Sequence, residues 1–183
     1  MTDEPLFELT RQVDLSTFEV RADPGENEPH FRGWACRTGV VDAYGTTFRE
    51  GCWQAGGLDE EIYALCWFHD PRRPVGVFTA SERPGGLWVE GSWDDTSEGR
   101  AARTRGLPGG SARQLSVGCR GIIYAEDAPN EILAAQLVEV SQITARMAAV
   151  PGAGITSSRS GAVAATDPRR LARARLSLTT LRS

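Results

Sequence analysis

The chain has 183 residues, 40% of them hydrophobic, with a formal net charge of −4, enough apolar material for the core of a single domain. No apolar run approaches the roughly 20 residues of a membrane-spanning helix, and the acidic first eight residues are unlike a signal peptide, so a soluble protein acting where it is made is expected. The net charge hides two opposed ends: residues 1–30 carry eight acids against two Arg, about −6, and residues 159–183 carry six Arg against one Asp, about +5.

In chain order, residues 1–28 read as an acidic N-terminal arm. His30 follows in a polar Pro/Gly segment suited to a loop before the first core strand at Phe31-Arg32-Gly33-Trp34-Ala35. Over residues 62–69 strict alternation predicts a strand covered on both faces, with Tyr63, Leu65, Trp67 and His69 on one side and Ile62, Ala64, Cys66 and Phe68 on the other. A short Pro/Gly segment, Pro74-Val75-Gly76, comes next. Residues 87–93 alternate as a half-buried antiparallel strand.

Asp95-Thr96-Ser97-Glu98 offers capping oxygens and a first-turn acid for a short Arg-rich helix over 98–107, stopped by Pro108-Gly109-Gly110. The strand over 114–123 turns Leu115, Val117 and Cys119 to one face and Ser116, Gly118 and Arg120 to the other; Gly118 leaves open ground beside Ser116. Leu137, Glu139, Ser141 and Ile143 then share a face on a further strand. Residues 152–165, rich in Gly, Ala and Ser, read as a flexible linker, and Thr166-Asp167-Pro168 as the start of a basic amphipathic tail helix.

Four cysteines without a C-x-x-C pair and two histidines, His30 and His69, make a structural zinc site improbable and read as reduced thiols, with Cys66 and Cys119 as small core residues. All twenty basic residues are Arg, for which coding bias is the simplest explanation, so arginine chemistry is not read as function on that count alone. The candidate chemistry is a serine and a histidine on two apolar strands: a hydroxyl attacks a carbonyl only when a positioned imidazole takes its proton. Ser116 is the candidate nucleophile and His69 the candidate base. An acid is needed to hold the imidazole. Glu139 is favoured because a carboxylate on an otherwise apolar face is costly to bury without a partner. Asp70 alternates to the opposite face from His69, and Asp94, Asp95 and Glu131 are the remaining options. Ser141 reads as a strand residue bonding backbone.

From about residue 31 to 155 the chain resembles the prohead (capsid maturation) serine proteases of tailed phages, whose fold is related to the herpesvirus assemblins. The resemblance rests on five motifs in order: the opening strand with its Asp, Gly and Arg49–Trp53 turn, Trp67-Phe68-His69-Asp70 before Pro74-Val75-Gly76, Gly86-Leu87-Trp88-Val89-Glu90-Gly91, Leu115-Ser116-Val117-Gly118, and Val138-Glu139-Val140-Ser141-Gln142-Ile143. It implies an α+β fold on a mainly antiparallel β-barrel core, with a protease domain over 29–155 and a linker and tail over 156–183. It implies a serine endopeptidase with the catalytic set Ser116, His69 and Glu139 and no metal or organic cofactor. Arg146, and as a competitor Arg120, are the oxyanion-donor candidates, with an ordinary surface arginine as the rival reading of each. The implied substrates are the major capsid protein, the scaffolding protein and the enzyme itself, cleaved inside the procapsid in the host bacterial cytoplasm. Neither nucleic acid nor membrane is required, and a homodimer follows by analogy with the assemblins. The alternative is a catalytically silent relative retained as an internal scaffold or assembly protein.

Overall fold

In the computed structural model, which describes residues 29–59 and 61–159, the alternating segments pair into one eight-stranded sheet. Its elements are β1 (Phe31–Arg37), β2 (Thr47–Phe48), α1 (Cys52–Ala55), β3 (Ile62–Trp67), β4 (Asp70–Arg83), β5 (Gly86–Trp93), α2 (Ser97–Gly106), β6 (Gln114–Tyr124), β7 (Glu131–Ile143) and β8 (Gly154–Ser158). The order is β2-β7-β3-β4-β5-β1-β8, with β6 also on β7. Ile132 and Val140 of β7 pair with β6 on one edge and with β2 and β3 respectively on the other, so β7 is the strand around which the site is organised. β2 and β3 run parallel to β7; the other pairings are antiparallel.

The fold is therefore α+β and strand-rich, as expected, but the expected closed barrel is an open sheet. Strand β8 curls back toward the start of β6, where Ile155 N–H donates to Arg113 O at 2.7 Å and the Arg113 guanidinium donates to Ile155 O at 2.8 Å. Among the described residues no ladder joins β6 to β8. A second nitrogen of the Arg113 guanidinium reaches Gly106 O at 2.8 Å, so this residue links the start of β6 to both β8 and the end of α2.

Several boundaries also move. The segment expected to be linker from residue 152 onward contains β8, which pairs with β1. Gly33 permits this: a Cβ there would lie 2.2 Å from Gly154 O, and Ile155 is buried in the core. The Pro74-Val75-Gly76 segment belongs to the long strand β4. Pro74 is tolerated there because it falls at a register shift opposite Cys66, where the ladder is already interrupted. The acidic arm up to residue 28, the basic tail from 160 and the helix start at 166–168 lie outside the described residues.

One face of the sheet carries the main core, including Phe31, Trp53, Leu65, Phe78, Leu87, Val89, Trp93, Leu115 and Val140. Ala64, Cys66 and Val77 form a small second cluster. Helix α2 starts at Thr96, whose Oγ1 accepts from Gly99 N at 3.0 Å, with Glu98 in its first turn. Buried Gln142 of β7 fastens the helix to the sheet. Its Oε1 accepts from Trp93 Nε1–H at 2.8 Å, and its amide donates to Ala102 O and Ala112 O at 2.8 and 2.7 Å. The buried amide is thus satisfied on both sides, and it ties β5, α2 and the approach to β6 to one residue of β7.

Candidate functional site

Strand β3 stops at Trp67, two residues earlier than the alternation suggests, and Phe68 and His69 form a two-residue link into β4, with Trp67 paired to Asp70. Both residues adopt positive φ, 53° and 60°. That is the backbone of a type I′ hairpin turn, normally the province of Asn and Gly, and it costs a residue with a Cβ about 1–2 kcal/mol. His69 therefore does not lie on the strand face of Leu65 and Trp67. Two bonds from β7 hold the strained link: Phe68 N–H donates to Gln142 O at 3.3 Å, and His69 N–H donates to Ser141 Oγ at 2.9 Å. Strain retained in this way is characteristic of residues held for function.

The turn delivers the His69 ring to Glu139. Nδ1 lies 2.6 Å from Glu139 Oε1, and the second oxygen, Oε2, accepts the Ser141 hydroxyl at 2.6 Å. A carboxylate at that position places the imidazole proton on Nδ1 and leaves the Nε2 lone pair free to take a proton. The hydrogen bond to Glu139 raises the His69 pKa above its ordinary value of 6.5; burial opposes the shift and the charge of Glu139 adds to it. Glu139 is 8% exposed, and both its oxygens are engaged, so the cost of burying the acid is met by two hydrogen bonds.

Ser116 enters through strand register. It pairs directly with Ser141, and Gly118 pairs with Glu139, so all four positions occupy one block of the same sheet face. Leu115 and Val117 point to the core on the other side. A Cβ on Gly118 would lie 2.7 Å from Glu139 Oε1, which means that the carboxylate leans across β6 over the glycine. The absent side chain is thus needed by the acid as well as leaving the ground beside Ser116 open. Ser116 is half-buried. Among the described residues no hydrogen bond joins Ser116 Oγ to His69 Nε2; nucleophile–base bonds of this kind commonly tighten only around substrate.

Three of the four rival acids are paired with arginines. Asp70 accepts from Arg72 at 2.9 Å, and that hydrogen bond holds its carboxyl below the usual range. Asp95 is paired with Arg100 at 2.7 Å, Glu131 accepts from Arg49 Nε, and Asp94 is buried at the end of β5. Arg120 is exposed on β6 opposite Gln136, its Nε donating to Gln136 Oε1 at 2.8 Å, and Arg146 is exposed on a 3-10 turn after β7. His30 lies in the bend before β1, as expected, but is fully buried, and its carbonyl accepts from Arg159 N.

Cys66 sits in the same cross-strand row, opposite Ser141 on β3. Burial first, then the charges of Glu139 and Asp70, push its thiol up to about 12, so at neutral pH it is a protonated packing residue and no rival nucleophile. Two features escaped the sequence reading. Ser141 bonds backbone as expected, but the backbone of His69 rather than of its own strand, and it also bonds Glu139. The left-handed Phe68-His69 link carries no Asn or Gly to announce it. Comparison with protein-family models, with characterised proteins and with solved structures finds no match for this chain.

Proposed function

We propose that the protein is a serine endopeptidase of the prohead type, with Ser116 as nucleophile, His69 as base and then acid, and Glu139 as the residue that orients and charges the imidazole. The observation that carries this reading is the 2.6 Å contact between His69 Nδ1 and Glu139, made on the sheet face from which Ser116 emerges. In the mechanism, Nε2 accepts the Ser116 proton as Oγ attacks the peptide carbonyl. The imidazolium so formed is stabilised by Glu139 and returns its proton to the leaving amine. Water repeats the sequence to free the acyl group. The tetrahedral oxyanion needs donors aimed at it, and Arg146 and Arg120 are the candidates.

The motif resemblance supplies the substrate class: capsid and scaffolding proteins and the enzyme itself, cut within an assembling procapsid, by a domain akin to the assemblins. Co-expression of the chain with its capsid protein tests the whole reading. Wild type should yield processed product by mass spectrometry, and Ser116→Ala and His69→Ala should each abolish it while remaining folded, with losses on the order of 10⁴-fold or more that do not add. Full processing by either variant overturns the assignment.

A further inference from the structure

Ser141 has no solvent exposure, yet its single hydroxyl serves both ends of the His69–Glu139 pair. It donates to Glu139 Oε2 at 2.6 Å and accepts the His69 backbone N–H at 2.9 Å, while His69 Nδ1 closes the circuit on Glu139 Oε1 at 2.6 Å. The result is a ring of three hydrogen bonds through His69 backbone, Ser141 hydroxyl, Glu139 carboxylate and His69 imidazole. We propose that Ser141 is a positioning residue that locks the carboxylate rotamer and the left-handed His69 backbone in one mutual geometry.

The argument is geometric. A carboxylate bonded through one oxygen alone is free to swing about its terminal torsion, which is broad and two-fold for glutamate. A bond on the second oxygen removes that freedom. The backbone at Phe68 and His69 lies in a region that residues with a Cβ leave unless held, and of the two bonds that hold it, the one from His69 itself ends on Ser141. Ser141 also faces Ser116 directly across the β6–β7 ladder, so the residue that fixes the base stands beside the nucleophile. No other hydroxyl in the His69–Glu139 circuit meets both demands.

The kinetic consequence rests on the serine-protease reading, but the structural claim does not, and the test separates them. Among the described residues, Glu139 of β7 is the charged group bonded to His69, Asp70 and Arg72 pair within the same hairpin, and Arg105 from α2 packs over the neighbouring Trp67 ring, its guanidinium 5.5 Å from the ring centre. Ser141→Ala alters none of them chemically. In that variant the NMR titration midpoint of His69 should fall toward the ordinary histidine value. Labelling of Ser116 by a fluorophosphonate should slow at least tenfold, with its acid limb moving to lower pH, and Ser141→Thr, which keeps the hydroxyl, should retain more of both than Ser141→Ala. A folded Ser141→Ala protein with an unchanged or higher His69 midpoint overturns the proposal. If the variant does not fold, hydrogen exchange in the wild type decides: the His69 amide should be protected, and free exchange there overturns the proposal without any substitution. A wild type that never labels at Ser116, yet whose His69 midpoint falls in Ser141→Ala, sinks the protease reading and leaves this inference standing.

Discussion

His69 owes its chemistry to a partner seventy residues away, and the sign of the coupling is testable. The Glu139 bond favours the imidazolium, so the acid limb of Ser116 reactivity should lie above the ordinary histidine value of 6.5 in the wild type. In Glu139→Gln it should move down toward that value, while the maximal rate drops on the order of 10³–10⁴-fold because the imidazolium loses its counter-charge. The fluorophosphonate labelling rate as a function of pH checks both. Stability follows linkage with the opposite appearance. A pKa raised on folding stabilises fully below the unfolded value and loses that contribution as pH rises through the folded one. The Tm gap between wild type and Glu139→Gln should therefore be wider in mildly acidic solution than in alkaline solution. It should be small, since the His69 side chain is 38% exposed and solvent screens the pair.

Among the elements, β7 carries the largest structural burden. Residues 139–142 hold, in turn, the acid, the core contact Val140, the ring hydroxyl and the Gln142 amide, with side chains alternating between the site face and the core face. Replacing Gln142 by Leu keeps the volume roughly constant but leaves the Trp93 indole N–H and the Ala102 and Ala112 carbonyls without their partner. Unsatisfied buried groups cost about 1–3 kcal/mol each, so a net loss of about 3 kcal/mol and a fall in Tm of roughly 10 °C are expected by thermal denaturation. Because Gln142 holds Phe68 through its backbone carbonyl, the folded fraction of Gln142→Leu should keep the His69 titration of the wild type.

For the whole molecule, the strand β8 relocates the boundary between body and tail. Cleavage needs backbone that is not tied into a sheet, and residues 154–158 are paired with β1 while Ile155 is buried. If the proposed protease activity includes self-processing between residues 152 and 167, the cut should fall beyond Ser158. The C-terminal mass of purified wild type beside Ser116→Ala measures this. A truncation after Ser158 in wild type alone is expected; an identical end in both proteins, or a cut within 154–158, contradicts it.

Much of the architecture was legible locally. The alternation of Leu87, Val89, Gly91 and Trp93, the Thr96 cap of α2, and the opposition of Ser116 to Leu115 and Val117 are consequences of strand and helix geometry over a few residues, and the structure carries each of them. Glu139 could be singled out because an acid on a largely apolar strand demands a partner, although its expected face was wrong in one member: a register shift between Gly118 and Cys119 pairs Leu137 with Cys119 in the core, on the opposite face from Glu139. The Phe68-His69 turn, the second role of Ser141, the passage of β4 through Pro74, the pairing of β8 and the Arg113 link to that strand were not legible. In each, the deciding interaction joins residues far apart in the chain: His69 to Ser141, Pro74 to a register shift on β3, Gly33 to Gly154, Arg113 to Ile155. Periodicity reports which face of an element a residue occupies. Which strand lies against that face, and whether its hydrogen bonds outweigh the local preference of a Phe-His pair for extended backbone, depends on contacts that exist only once the sheet has formed.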